Sequence, residues 1–197
     1  MGPARIGSVE RKTVETDIRL RLNLDGHGDY QVSTGIPFFD HMLCSLAKHG
    51  LLDLELKAVG DIQIDFHHTV EDVGICFGKA VAEALGDKAG VLRFGQGAVP
   101  MDEALAEVTL DLSGRPFLVY HANLPKEKVG EFDLEVVQEF FKAVAIHAGL
   151  TLHINVPYGS NFHHIVESVF KAFGRALSAA TRIDPRIKGV PSVKGVL

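Results

Sequence analysis

Apolar and polar positions along the chain repeat in two similar halves. In residues 15–24 the apolar Ile18, Leu20, Leu22 and Leu24 alternate with other positions, and in residues 103–114 Ala106, Val108, Leu110 and Leu112 do the same. A period of two places alternate side chains on one face, so both stretches predict half-buried strands, each running into a glycine turn at Gly26 or Gly114. A second strand is expected at residues 29–34 and again at 117–123. Helices follow at 37–49 and 133–148, with Gly50 and Gly149 suited to their C-termini. Next come strands at 52–59 and 150–156, and last, helices at about 67–85 and 163–181. Strands and helices mixed in this way, with hairpin-like strand pairs, predict an α+β fold with an internal duplication. Residues 90–100 hold Gly90, Gly95, Gly97 and Pro100 and are expected to connect the halves. The halves are taken as 1–92 and 93–197 within one compact domain. The basic, Gly- and Pro-containing stretch 185–197 is expected to be a loop or arm.

The duplication is visible residue by residue. Asp65-Phe66-His67-His68-Thr69-Val70-Glu71-Asp72-Val73 matches Asn161-Phe162-His163-His164-Ile165-Val166-Glu167-Ser168-Val169, an offset of 96 that continues to Ala80 and Ala176. The strand segments 15–26 and 103–114 match at an offset of 88 instead, so small insertions separate the halves.

The chain has 197 residues, 46% hydrophobic and 23% charged, with a net charge of −5. This composition supplies one sizeable core and leaves no basic footprint for nucleic acid. No apolar run approaches the roughly 20 residues that span a bilayer, and the first twelve residues lack a signal-peptide core. Cys44 and Cys76 lie in apolar segments and are expected to be reduced core thiols, as in a cytoplasmic protein.

Histidine is the unusual residue: there are 10, four of them in the two adjacent pairs. On a helix, Glu71 shares a face with both His67 and His68, while the two imidazoles diverge by roughly 100°. Such neighbours chelate one ion poorly but can offer one imidazole to each of two ions. The same holds for His163, His164 and Glu167. If the two motif helices face each other, they supply four imidazoles and two carboxylates. His41 on the preceding helix of the first half, and Glu139 at the corresponding place in the second, complete a set of eight: His41, His67, His68, Glu71, Glu139, His163, His164 and Glu167. Nitrogen and oxygen donors without thiolate favour Mn²⁺, Fe²⁺, Zn²⁺ or Ni²⁺. His27, His49, His121, His147 and His153 are read as ordinary surface or core histidines.

Several segments in order are similar to imidazoleglycerol-phosphate dehydratases over essentially the whole chain: Phe39-Asp40-His41-Met42-Leu43, the two HHxxE segments, Met101-Asp102-Glu103-Ala104, Asp111-Leu112-Ser113-Gly114-Arg115-Pro116 and Pro191-Ser192-Val193-Lys194-Gly195-Val196-Leu197. The chain resembles the monofunctional form, too short for a fused phosphatase domain. The family carries His or Glu at the position of Glu139. The resemblance implies a four-stranded sheet with two helices in each half and a homo-oligomer of 24 subunits with sites between them. It also implies two Mn²⁺ per site, cytoplasmic location, and a small phosphorylated imidazole as substrate, with neither nucleic acid nor membrane as partner.

The implied reaction dehydrates D-erythro-imidazole-glycerol phosphate to the acetol phosphate in histidine biosynthesis. The proton to be lost lies beside a hydroxyl rather than a carbonyl, so the usual enolate route is closed. If both ring nitrogens bind cations, the ring can be held as imidazolate and expel the neighbouring hydroxyl. The diazafulvene-like product of that step acidifies the next C–H, whose loss gives an enol and then the ketone. By resemblance Glu15 is the acid–base residue, with Asp102 and Glu103 as alternatives. Arg93, Arg115, Lys171, Ser192 and Lys194 match the family's phosphate-binding positions, and Arg and Lys suit an anion. Two rivals remain: a dinuclear metallohydrolase, and a non-catalytic metal-storage or shell protein.

Overall fold

The computed structural model describes residues 4–122 and 124–197, so the last residue of the strand expected at 117–123 lies outside the described part. The alternation in the first half becomes a four-stranded sheet. Its strands are β1 (Ile6–Lys12), β2 (Thr16–Asn23), β3 (Tyr30–Ser33) and β4 (Asp53–Gly60), in the order β1-β2-β4-β3. Strands β3 and β4 are parallel and the other pairs antiparallel. Ile18, Leu20 and Leu22 point into the core, whereas Arg19 and Arg21 of the same strand face solvent. Helices α1 (Pro37–Gly50) and α2 (His67–Leu85) belong to this half.

The second half repeats the plan. Strands β5 (Phe94–Met101), β6 (Ala104–Asp111), β7 (Phe117–His121) and β10 (Thr151–Tyr158) form a sheet of order β5-β6-β10-β7, again with one parallel pair. A small hairpin of β8 (Lys128–Val129) and β9 (Phe132–Asp133) precedes α3 (Val136–Ala148), and α4 (Phe162–Thr181) ends the repeat. Residues 122–135 therefore stand where the first half has 34–36. These 11 extra residues, less the three by which the loop before α4 is shorter than the loop before α2, turn the strand offset of 88 into the motif offset of 96.

The helices lie between the sheets and pack across the duplication. Helix α2 covers β1 and β2, and α4 covers β5 and β6, but α2 packs on α3 and α4 on α1. Glycine permits both crossings. A Cβ at Gly78 would stand 2.9 Å from the Val144 carbonyl oxygen on α3, and one at the equivalent Gly174 would stand 2.4 Å from that of Leu46 on α1. Phe39, Phe77, Phe140, Phe141, Phe170 and Phe173 fill the space among the helices, all with 0% exposure. Their edge and tilted contacts are as close as 4.9 Å between ring centroids. Cys76, in the same core, is a free thiol pushed up to about 11 by burial, so it stays protonated and offers no thiolate,.

Three local expectations are corrected. Residues 94–101 are not merely a connection between halves: they form the edge strand β5, with β1 as its unforeseen counterpart. Their glycines serve close approach rather than turning, since a Cβ at Gly95 would meet the Ala176 carbonyl oxygen at 1.9 Å, and one at Gly7 that of Ala80 at 2.0 Å,. The second helix of the duplication begins at Val136, because Phe132 and Asp133 pair in the hairpin. Gly50 lies inside the last turn of α1, where Gly174 touches it, and Leu51 takes the left-handed capping conformation (φ 54°). Gly149 does occupy that conformation at the end of α3,.

Gly95→Ala should force β5 away from α4 and cost about 1–3 kcal/mol, the usual range for overpacking. A thermal melt should show the loss as a lower Tm. An unchanged Tm would mean that the strand can shift freely.

Candidate functional site

The N-terminus of each motif helix is fixed by a side chain two residues before the first histidine. Asp65 Oδ1 accepts the His67 N–H at 2.8 Å, and Asn161 Oδ1 accepts those of His163 and His164 at 3.0 and 3.4 Å,. The paired imidazoles diverge as their spacing predicts: ring centroids are 6.3 Å apart in both pairs, with interplanar angles of 85° and 82°.

The two motif helices do not face each other, contrary to expectation, because each packs on the outer helix of the opposite half. The first histidine and the glutamate of each motif therefore meet that outer helix. His163 Nε2 and His41 Nε2 lie 3.1 and 3.4 Å from the same Glu167 oxygen, and the donor atoms of these three residues all fall within 4.8 Å of one another. Donors so spaced around a common point can close on one divalent cation. Lys171 Nζ holds the other Glu167 oxygen at 2.6 Å. Burial works to raise the Glu167 carboxyl, but Lys171 and His41 outweigh it and keep it below its ordinary value,.

The duplicated counterpart is looser. His67 Nε2 is 3.8 Å from Glu71, while Glu139 accepts a 3.0 Å hydrogen bond from Lys142. Glu139 raises the Lys142 pKa most, and the charge of Glu71 adds to it, which places Glu71 in the same electrostatic neighbourhood.

The second histidine of each motif turns to another set of carboxylates. His68 Nδ1 is 3.0 Å from Asp61 and its Nε2 is 3.9 Å from Glu15. His164 Nδ1 is 2.8 Å from Glu103 and its Nε2 is 3.8 Å from Asp102. Asp61 raises the His68 pKa. Glu103 is held at about 2, first by His164 and then by the backbone N–H groups of Asn161 and Ser160. The sequence reading missed Asp61; the available signal was an acid in the longer loop that precedes α2.

The expected phosphate group divides in two. Arg93, Arg115, Ser192 and Lys194 line one open pocket of about 450 Å³ with the C-terminal segment. Arg93, in a left-handed backbone conformation (φ 74°), grips Asp111 with two hydrogen bonds of 2.7 and 3.1 Å and donates to the Pro191 carbonyl at 2.9 Å. Arg115 is 70% exposed. Lys171 is elsewhere, on Glu167. The Arg93 N–H bonds the Ala180 carbonyl near the C-terminal end of α4, whereas His163 opens that helix. Seventeen residues at 1.5 Å each separate those two points by roughly 25 Å.

Fold and site together define a duplicated α+β protein with histidine–carboxylate clusters suited to hard divalent cations. Residues 34–177 match the family of imidazoleglycerol-phosphate dehydratases. The chain is 60% identical to the imidazoleglycerol-phosphate dehydratase of Pelobacter propionicus, covering 98% of this chain and 99% of that one. It is 62% identical to the one of Alkaliphilus metalliredigens, covering 95% and 96%. The crystal structure of the Staphylococcus aureus enzyme superposes with a TM-score of 0.82 at 42% identity, over 91% of this chain and 99% of that one. The chain belongs to the imidazoleglycerol-phosphate dehydratase family.

Proposed function

We propose that this chain is the hydro-lyase of histidine biosynthesis that converts D-erythro-1-(imidazol-4-yl)glycerol 3-phosphate to 3-(imidazol-4-yl)-2-oxopropyl phosphate. The near-full-length kinship with proteins named for this activity carries the reading. The metal requirement rests on the convergence of His41, His163 and Glu167. We assign the cofactor as two Mn²⁺ per site, held by the eight histidine and glutamate side chains. When bound, the cations supply Lewis acidity to the ring nitrogens of the substrate.

The protein groups then have separate tasks. Lys171 neutralises one oxygen of Glu167 and keeps that carboxylate ionised at the ligand position. Glu15, beside the free edge of the His68 ring, gives a proton to the departing hydroxyl or takes the C–H proton. The hydroxyl leaves as water, and the enol that remains becomes the ketone. Arg115, Ser192 and Lys194 take the phosphate. Arg93, already committed to Asp111 and Pro191, shapes the wall of that pocket and tethers the tail.

A substrate of this kind spans only roughly 10 Å from ring to phosphate by bond lengths. The metal cluster and the anion pocket of one chain stand at opposite ends of α4, so one chain cannot place both on one molecule. A site that unites them draws on at least two chains, which agrees with a large homo-oligomer such as the family's 24-mer. No helix among the described residues is long and apolar enough to cross a membrane, and we place the enzyme with other biosynthetic activities in the cytoplasm.

Turnover of metal-stripped protein decides the reading. Ketone product should form on adding Mn²⁺ and be absent without it. A metallohydrolase would leave this substrate untouched, a shell protein would bind cations without turnover, and activity that survives thorough chelation would overturn the cation's role.

A further inference from the structure

The duplication is not symmetric around its second histidines, and the difference lies in one loop. Gly60 ends β4 and Gly159 directly follows β10 at equivalent places, with Asp61 and Ser160 next in line. Six residues separate Gly60 from His67, but only three separate Gly159 from His163. The short loop has no acid at Asp61's position: its Ser160 N–H instead donates to Glu103 Oε1 at 3.1 Å, together with that of Asn161 at 2.7 Å. Glu103 is the counterpart of Glu15 at the 88-residue offset, yet the two carboxylates meet opposite edges of their imidazoles. Glu103 lies at Nδ1 of His164, whereas Glu15 lies at Nε2 of His68, whose Nδ1 edge Asp61 occupies.

We infer that Asp61 and Glu103 are positioning residues that fix the tautomers of His68 and His164, and that the acid in the longer loop is what releases Glu15 for proton transfer. An ionised carboxylate only accepts hydrogen bonds, so the nitrogen facing it at 3.0 or 2.8 Å carries the proton,. In the neutral ring that leaves the lone pair on Nε2, the edge near Glu15 in His68 and near Asp102 in His164, where it is available to a cation,. Both residues are held in place, Glu103 through its carboxylate and Asp61 through its backbone. Glu103 Oε1 is pinned by the two backbone donors while Oε2 faces His164. Asp61 is half-enclosed, its Oδ1 is buried without a donor among the described residues, and its backbone N–H bonds the Glu15 carbonyl at 3.1 Å. The same loop thus holds the His68 ring and the backbone of the β1–β2 turn that carries Glu15. In the second half Glu103 is occupied as an anchor and is not the acid–base group. This division rests on the proposed roles of the histidines and of Glu15.

The test separates the tautomer from the metal. In metal-free full-length oligomer labelled with 15N-histidine, at a pH where the rings are neutral, His68 and His164 should show a protonated Nδ1 and a bare Nε2. Their signals are assigned by single His→Gln variants. Asp61→Ala should return His68 alone to the mixture of tautomers usual for a free ring, and Glu103→Ala should do so for His164 alone. Asp61→Asn, which keeps an acceptor oxygen, should preserve the His68 signal. Mn²⁺ titration of the alanine variants should then show roughly 10–100-fold weaker binding at one class of site, with Tm and oligomer size retained. A 15N pattern unchanged by Asp61→Ala and Glu103→Ala overturns the inference whether or not the protein binds metal. A changed pattern in a wild-type protein that takes up no Mn²⁺ would leave the tautomer lock standing and remove the metal reading instead.

Discussion

His163→Ala is expected to abolish turnover and to weaken Mn²⁺ binding by at least about 100-fold, more than loss of a supporting group alone costs at a metal site. His163 and His41 approach the same oxygen of Glu167, so removing one imidazole opens the only described cluster in which three donors close on a common point. Losing it leaves an imidazole and a carboxylate already half-committed to Lys171. The fold should tolerate the change. The His163 side chain is 40% exposed and touches Phe38 only at a ring-to-ring distance of 5.2 Å, so truncation makes no core cavity. Losing its contact with Glu167, which keeps His41 and Lys171, should cost only roughly 0.5–1.5 kcal/mol,. Isothermal titration of the metal-free variant with Mn²⁺, beside its thermal melt, separates the two effects. Wild-type affinity in a well-folded His163→Ala protein would exclude this cluster as a cation site.

Co-expression of two inactive variants should restore activity that neither has alone. Arg115→Glu places a negative charge in the anion pocket and should raise the KM for the phosphorylated substrate too far for useful turnover; Arg115→Ala should raise it less. His163→Ala lacks the metal cluster. If each site takes its cluster from one chain and its anion pocket from a neighbour, random assembly gives about a quarter of the sites both intact halves. Purified mixed oligomers should therefore recover roughly that share of wild-type kcat. A site contained in one chain predicts no recovery, because every chain in the mixture is defective. The roughly 25 Å along α4 between the metal cluster and the Arg93 end of the pocket favours recovery. Equal inactivity of mixed and unmixed oligomers would contradict it.

The two glycine-rich strand edges show where reading by local pattern reaches its end. At residues 94–101, Gly95 and Gly97 together with Pro100 carry the marks of a linker. Their meaning as a strand surface pressed against a helix exists only once α4 lies on them. Gly50 presents the same ambiguity, since a glycine near a helix end reads as a cap until Gly174 is found against it. The motif histidines were legible because helical spacing alone makes neighbouring side chains diverge, and the ring centroids stand 6.3 Å apart in both pairs. Asp61 was overlooked because its one sign, an acid in the longer loop before α2, gains meaning only once that loop is seen against the His68 ring.

The sequence by itself determined the duplication, the alternating faces of β2 and β6, the positions of the motif helices and the divergence within each histidine pair. All of these arise from periodicities of two and 3.6 that act over a few residues. The tertiary structure decided which helix meets which, and so joined His41 to His163 rather than His67 to His163. It also parted Lys171 from Arg115 and gave His68 and His164 different carboxylate partners. Those outcomes depend on how small residues let backbones approach and on how six buried phenylalanines fill the space between them. Such packing relations link positions far apart in the chain, and local pattern carries no record of them.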